Sequence, residues 1–198
     1  MADGINRVRL SAAALRLAGW RFDGTLPREK RYVCLGYPHT SNWDGLLMIA
    51  FATRLGLKAR WMIKDDWTRG PLGAALRSLG AVGIDRSTSH SVVAQMIEEF
   101  GRHEEFVLGI PPEGTRSRTE HWRSGFYHIA LGARVPVVPG YIDFGRRVVG
   151  MGPPMWMSGD VRADMDRLRE FYGSLHLRAY EPANVGPIRL REEDTAPR

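Results

Sequence analysis

The stretch YPHTSNWDGLLM, residues 37–48, sets His39 and Asp44 five positions apart, behind a proline and ahead of an apolar run. Two chemistries suit that spacing. In one, Ser41 or Asn42 caps a helix and Asp44 favours its positive end. In the other, His39 is a general base that takes a proton from a hydroxyl, and Asp44 holds its other ring nitrogen and stabilises the imidazolium. HxxxxD by itself does not choose between them.

Two more polar clusters follow apolar stretches. Arg86, in Asp85–Arg86–Ser87, either pairs locally with Asp85 or points outward to hold an anion. In PPEGTRSR (111–118), Gly114 permits a sharp turn after the prolines. Thr115, Arg116, Ser117 and Arg118 then present hydroxyl and guanidinium donors together, a cradle suited to phosphate. Glu113 is placed to orient Arg116 or to hydrogen-bond a substrate hydroxyl. A solvated arginine-rich loop is the alternative.

The elements that must position these residues alternate. RYVCLGY (31–37), ARWMI, AVGID, EEFVLGI and VPVVPGYIDF read as strands, with a further strand or turn in RVVGMGPPMWM. Between them, SNWDGLLMIAFATRLGL, GPLGAALRSLG, SHSVVAQMIEEFGRH and SGFYHIALGAR read as helices, and ADMDRLREFYGSLHLRAY closes with another. That alternation predicts a single α/β domain with a mixed, largely parallel sheet flanked by helices. The three polar clusters fall at strand ends, and in open α/β sheets the crevice there is the usual binding site.

Composition narrows the partners. The 198 residues carry a net charge of +6, and only three of the 28 cations are lysines (Lys30, Lys58, Lys64). Arginine suits bidentate recognition of phosphate and carboxylate, although coding bias gives the same count. Zinc-finger spacing, an RNP-like sequence and a basic-helix signature are all missing, so no nucleic-acid partner is expected. One cysteine, Cys34, sits in an apolar run and reads as a buried structural thiol; no disulfide framework is expected. A GxSxG elbow and a metal-type His/Cys cluster are absent, so neither a serine nucleophile of that kind nor a metal is expected. No signal peptide or spanning segment is read, which makes the cytoplasm the expected compartment. Residues 1–20 form a separate amphipathic segment, helical over 5–19, with Val8, Ala12, Leu15 and Gly19 opposite Arg7, Arg9 and Arg16. It suits an anionic membrane surface or packing against the domain. The domain proper spans 21–190, and 191–198 is expected to fray.

Four blocks in order resemble the glycerolipid acyltransferase family, which includes bacterial 1-acylglycerol-3-phosphate acyltransferases. PHTSNWD is similar to the NHxxxxD block, GAVGIDRS to GxxFxxR, PPEGTRS to FPEGTRS and VPVVPG to VPxxPV, covering about residues 32–145. Pro38, Gly83, Pro111 and Gly140 depart from the usual Asn, aromatic, Phe and Val, and none removes a charged or proton-transferring residue. The resemblance implies that His39, oriented by Asp44, assists direct attack of an acceptor hydroxyl on an acyl thioester carried by CoA or acyl carrier protein, without a cofactor. It implies that Arg86 and Arg116 hold the phosphate of a lipid or glycerol-phosphate acceptor, with Glu113, Gly114 and Thr115 shaping its pocket. Peripheral attachment at the inner face of the plasma membrane is the matching location. The acyl chain needs an apolar groove, for which Leu46, Leu47, Trp61, Met62 and the MGPPMWM stretch are the candidates. A thioester hydrolase built on the same base, and an acyltransferase for an amino-lipid or glycolipid acceptor, are the alternatives.

Overall fold

The apolar runs become neighbouring strands, and their unbroken hydrophobicity follows from burial on both faces of the sheet. The computed structural model describes residues 12–78, 80–84 and 89–195. Among these, β1 (Arg21–Gly24), β2 (Arg31–Tyr37), β3 (Ala59–Lys64), β4 (Ala81–Ile84), β5 (Phe106–Ile110), β6 (Val137–Asp143) and β7 (Val148–Met151) make one sheet. Its order is β1-β7-β6-β2-β5-β3-β4. Only β6 and β7 pair antiparallel, so β1 and β7 run against the other five. This is the α/β architecture, with a mixed and largely parallel sheet, that the sequence predicts.

The helices are α1 (12–17), α2 (Asn42–Arg54), α3 (Gly70–Ser78), α4 (Ser89–Arg102), α5 (Gly125–Ala133), α6 (Val161–Leu175) and α7 (Glu192–Thr195). Strand side chains alternate between faces. On one face Val33, Leu35, Phe106, Leu108 and Val137 pack beneath Met96 and Phe100 of α4, Phe126 and Ile129 of α5, and Met165 and Leu168 of α6. On the other, Tyr32, Cys34, Val107 and Val138 meet Met48 of α2. Phe51 of α2 joins Leu15 of α1 over Ile142 and Val149. Over its described part the N-terminal segment packs one side on the domain: Leu15 is buried against it and Trp20 meets Phe144 edge-on at 5.2 Å, while Leu17 stays exposed. Residues 5–11 of that segment lie outside the described residues.

Gly140 has a physical reason to replace a larger residue. A Cβ there would stand 2.4 Å from the Leu35 carbonyl oxygen on the neighbouring strand. Three features differ from the sequence reading. β1 is not visible in the pattern, because its four residues RFDG form an edge strand with only Phe22 partly covered. The last long helix stops at Leu175, where His176 takes a left-handed backbone (φ 49°), instead of continuing to Tyr180. The tail expected to fray is tied down over 191–195: Glu193 accepts from the Leu190 amide at 2.6 Å and pairs with Arg169, and Asp194 pairs with His121.

Candidate active site

β2, β5 and β6 end on the same side of the sheet, so the loops that follow them converge there. The β2 loop enters α2 with Ser41 as its N-cap, in extended backbone. Asp44 is the third residue of that helix and reaches back over the cap. Its Oδ2 accepts from the amides of Thr40 (2.6 Å) and Ser41 (2.7 Å), and its Oδ1 accepts from the Ser41 hydroxyl (2.9 Å). The helix start therefore consumes Asp44 as a cap. It also aims Asp44 at the histidine, since the Nδ1 of His39 lies 3.4 Å from the same Oδ2. The helix cap and the His39–Asp44 contact are one arrangement.

Electrostatics follows from this geometry. Burial alone would push the Asp44 carboxyl up, but hydrogen bonds from His39, the Ser41 and Thr40 amides and the Ser41 hydroxyl outweigh it and hold it below the ordinary carboxylate range. A carboxyl lowered in the folded state contributes stability above its unfolded pKa and loses it as pH falls through the folded value. Asp44→Asn is therefore expected to cost about 1–3 kcal/mol at neutral pH, with the difference shrinking in acid. Thermal unfolding of both proteins across pH checks this. A gap that widens in acid would contradict the sign.

The loop after β5 supplies the rest. Pro112 keeps the loop close through its carbonyl, which accepts from the Arg123 amide at 2.8 Å, and Gly114 turns the chain with φ +66°. Gly114 is required twice over, because a Cβ would also meet the Arg123 side chain at 2.8 Å. Arg116 then reaches across to donate to the Asn42 side chain at the head of α2. His39, Asn42, Asp44, Gly114, Thr115 and Arg116 all line one cavity of about 1990 Å³. Glu113 does not line it: its side chain turns inward, and its Oε1 accepts from the His39 amide at 2.8 Å. Asp85, Arg86 and Ser87 lie outside the described residues.

The cavity continues as an apolar channel between α2 and the sheet, past Met48, Ala52 and Leu55 on one side and Cys34, Val107 and Trp61 on the other. Gly36 and Gly109 in the sheet also line it, and neither fills space with a side chain. Of the groove candidates, Trp61 lines the channel. Met62 borders the cavity too, but packs against the core beneath α4 and α5. Leu46 faces outward, 57% exposed, and Leu47 packs with Phe51. Of MGPPMWM, Met151 lines the cavity, Met155 and Met157 pack on the core, and Trp156 is exposed. Cys34 is buried and its thiol is pushed up to about 12, which suits packing and not nucleophilic attack. Arg123, Ser124 and His128 also border the cavity, and sequence reasoning passed over them. They belong to the turn into α5 and to its first turn. Among the described residues no cluster of His, Cys, Asp and Glu could hold a metal ion, and no helix is long and apolar enough to cross a membrane.

A His–Asp pair and an arginine-bearing loop at the carboxyl edge of a mostly parallel sheet, opening onto an apolar channel, define an α/β protein with a polar site set beside an apolar one. Residues 21–143 match the Acyltransferase family, and with more than half its length in that match the chain belongs to this family of acyltransferases. Its fold is also that of the 1-acyl-sn-glycerophosphate (LPA) acyltransferase PlsC from Thermotoga maritima. The two superpose with a TM-score of 0.61 at 16% sequence identity, over 90% of this chain and 81% of that one. No curated protein matches it by sequence.

Proposed function

We propose that the protein moves a fatty acyl group from an acyl thioester to a hydroxyl of a lysophospholipid or glycerol-phosphate acceptor, with His39 as general base. The observation that carries this reading is the 3.4 Å approach of His39 Nδ1 to the buried, triply hydrogen-bonded Asp44. Asp44 holds Nδ1, which leaves Nε2 to take the acceptor proton as its oxygen attacks the thioester carbonyl. Collapse of the tetrahedral intermediate expels the thiolate, and the imidazolium returns the proton to sulfur. No acyl-enzyme is formed, and neither metal nor cofactor takes part in these steps. Arg116, with Thr115 and Gly114 around it and Arg86 as a second cation, holds the acceptor phosphate.

The donor is acyl-CoA or acyl carrier protein, and its chain lies in the channel beneath α2. Gly109→Val would narrow that channel. It is expected to lower kcat/KM for palmitoyl-CoA about tenfold more than for octanoyl-CoA. Equal losses on both donors would place the chain elsewhere. Exposed Leu17, Trp43 and Leu46, with Arg16 and Arg116, support peripheral contact with an anionic bilayer such as the cytoplasmic face of the plasma membrane. Co-sedimentation with anionic but not neutral vesicles is the expected result, and equal binding to both would remove the electrostatic part.

The deciding experiment is thiol release from palmitoyl-CoA with lysophosphatidate, glycerol-3-phosphate or no acceptor. The name of the Thermotoga relative makes lysophosphatidate the first acceptor to try. Release that depends on the acceptor supports the reading. Release without any acceptor would make the protein a thioester hydrolase.

A further inference from the structure

We propose that Glu113 is a positioning residue for His39 and not a ligand of the acceptor. The inference rests on the assignment of His39 as the base. Three consecutive amides of the β2–α2 loop are claimed by carboxyl groups from two different elements. Asp44 of α2 takes those of Thr40 and Ser41, and Glu113, from the loop after β5, takes that of His39. The loop is thus gripped from both ends, and the imidazole direction is over-determined. The His39 amide is served by the loop after β5, while the Asp44 oxygens of α2 serve Thr40 and Ser41.

Burial separates the two possible roles of Glu113. Its side chain is 6% exposed and absent from the cavity lining, whereas its neighbours Gly114, Thr115 and Arg116 border the cavity. The Oε2 atom is buried without a hydrogen-bond partner. The groups facing the carboxyl are Tyr37 of β2, Tyr172 of α6, and Asp44 and His39. Burial pushes the Glu113 carboxyl up to about 8, against the amides of His39 and of Glu113 itself, which pull it down, and with Asp44 adding a smaller upward push. In either protonation state Oε1 is an acceptor for the His39 N–H. A glutamine offers a carbonyl oxygen for the same bond.

Kinetics of Glu113→Ala and Glu113→Gln test this. With Glu113→Ala, kcat is expected to fall roughly ten- to thirtyfold, since a small misplacement of a reacting group is costly, while both KM values stay within about twofold. Glu113→Gln should stay close to wild type. In ¹⁵N spectra, the His39 imidazole signals should move in Glu113→Ala and not in Glu113→Gln. Should the alanine variant not fold, Glu113→Asp draws the acceptor back from the amide and is expected to act in the same direction. A raised acceptor KM at unchanged kcat would overturn the proposal in favour of a substrate ligand. So would a glutamine variant as slow as the alanine one, or unmoved His39 signals in Glu113→Ala. Absence of acyl transfer in the wild type would refute the proposed function instead, and the His39 spectra would still judge the positioning role.

Discussion

His39→Ala is expected to lower acceptor-dependent thiol release from palmitoyl-CoA by about 10²–10⁴-fold, the usual worth of a positioned general base. The loss should fall on kcat. Deprotonation of the hydroxyl occurs only on the way to the transition state, so neither substrate loses ground-state contacts. The substitution is mild for the fold. His39 is partly exposed, its backbone amide stays bonded to Glu113, and Asp44 keeps its three partners at the head of α2. An unchanged melting temperature with lost activity is therefore the combined result expected, and it separates this variant from Asp44→Asn, which loses both. Activity within a few-fold of wild type would remove His39 from the base role.

Arg116→Ala is expected to raise the KM for lysophosphatidate by about ten- to hundredfold, as loss of a charge-assisted hydrogen bond to phosphate does, with the palmitoyl-CoA KM little changed. Among the described residues its side chain donates to Asn42, another exposed residue, so the fold loses little. Arg116→Lys should recover part of the affinity, because a point charge attracts phosphate without the bidentate fork. An unchanged acceptor KM in Arg116→Ala would mean that no phosphate sits there. An amino-lipid or glycolipid acceptor would then be the substrate to test.

Much of this site is legible in one dimension because its parts are local. His39, Ser41 and Asp44 lie within six residues, and a helix N-terminus obliges a residue at the third position to face back over its cap. The same holds for Gly114, whose turn is a property of the backbone at one residue. The strand–helix alternation is legible for a similar reason: burial on both faces leaves continuous apolar runs that need no knowledge of their neighbours. Glu113 shows where such reading stops. From the sequence it belongs with Thr115 and Arg116. Only the fold turns it away from them and onto an amide 74 positions earlier.

By itself, then, the sequence determined the α/β class, the His–Asp unit, the arginine-bearing turn and, through four ordered blocks, the family. Periodicity and helix caps act over a few residues, so residue types suffice. Tertiary structure alone decided which carboxyl the His39 amide meets. It also placed Trp61 in the channel while Met62 packs into the core, docked α1 on the domain, and tied the Glu181 amide to the Thr40 hydroxyl beside His39. These contacts join residues far apart in the chain, and only the order of strands in the sheet brings them together.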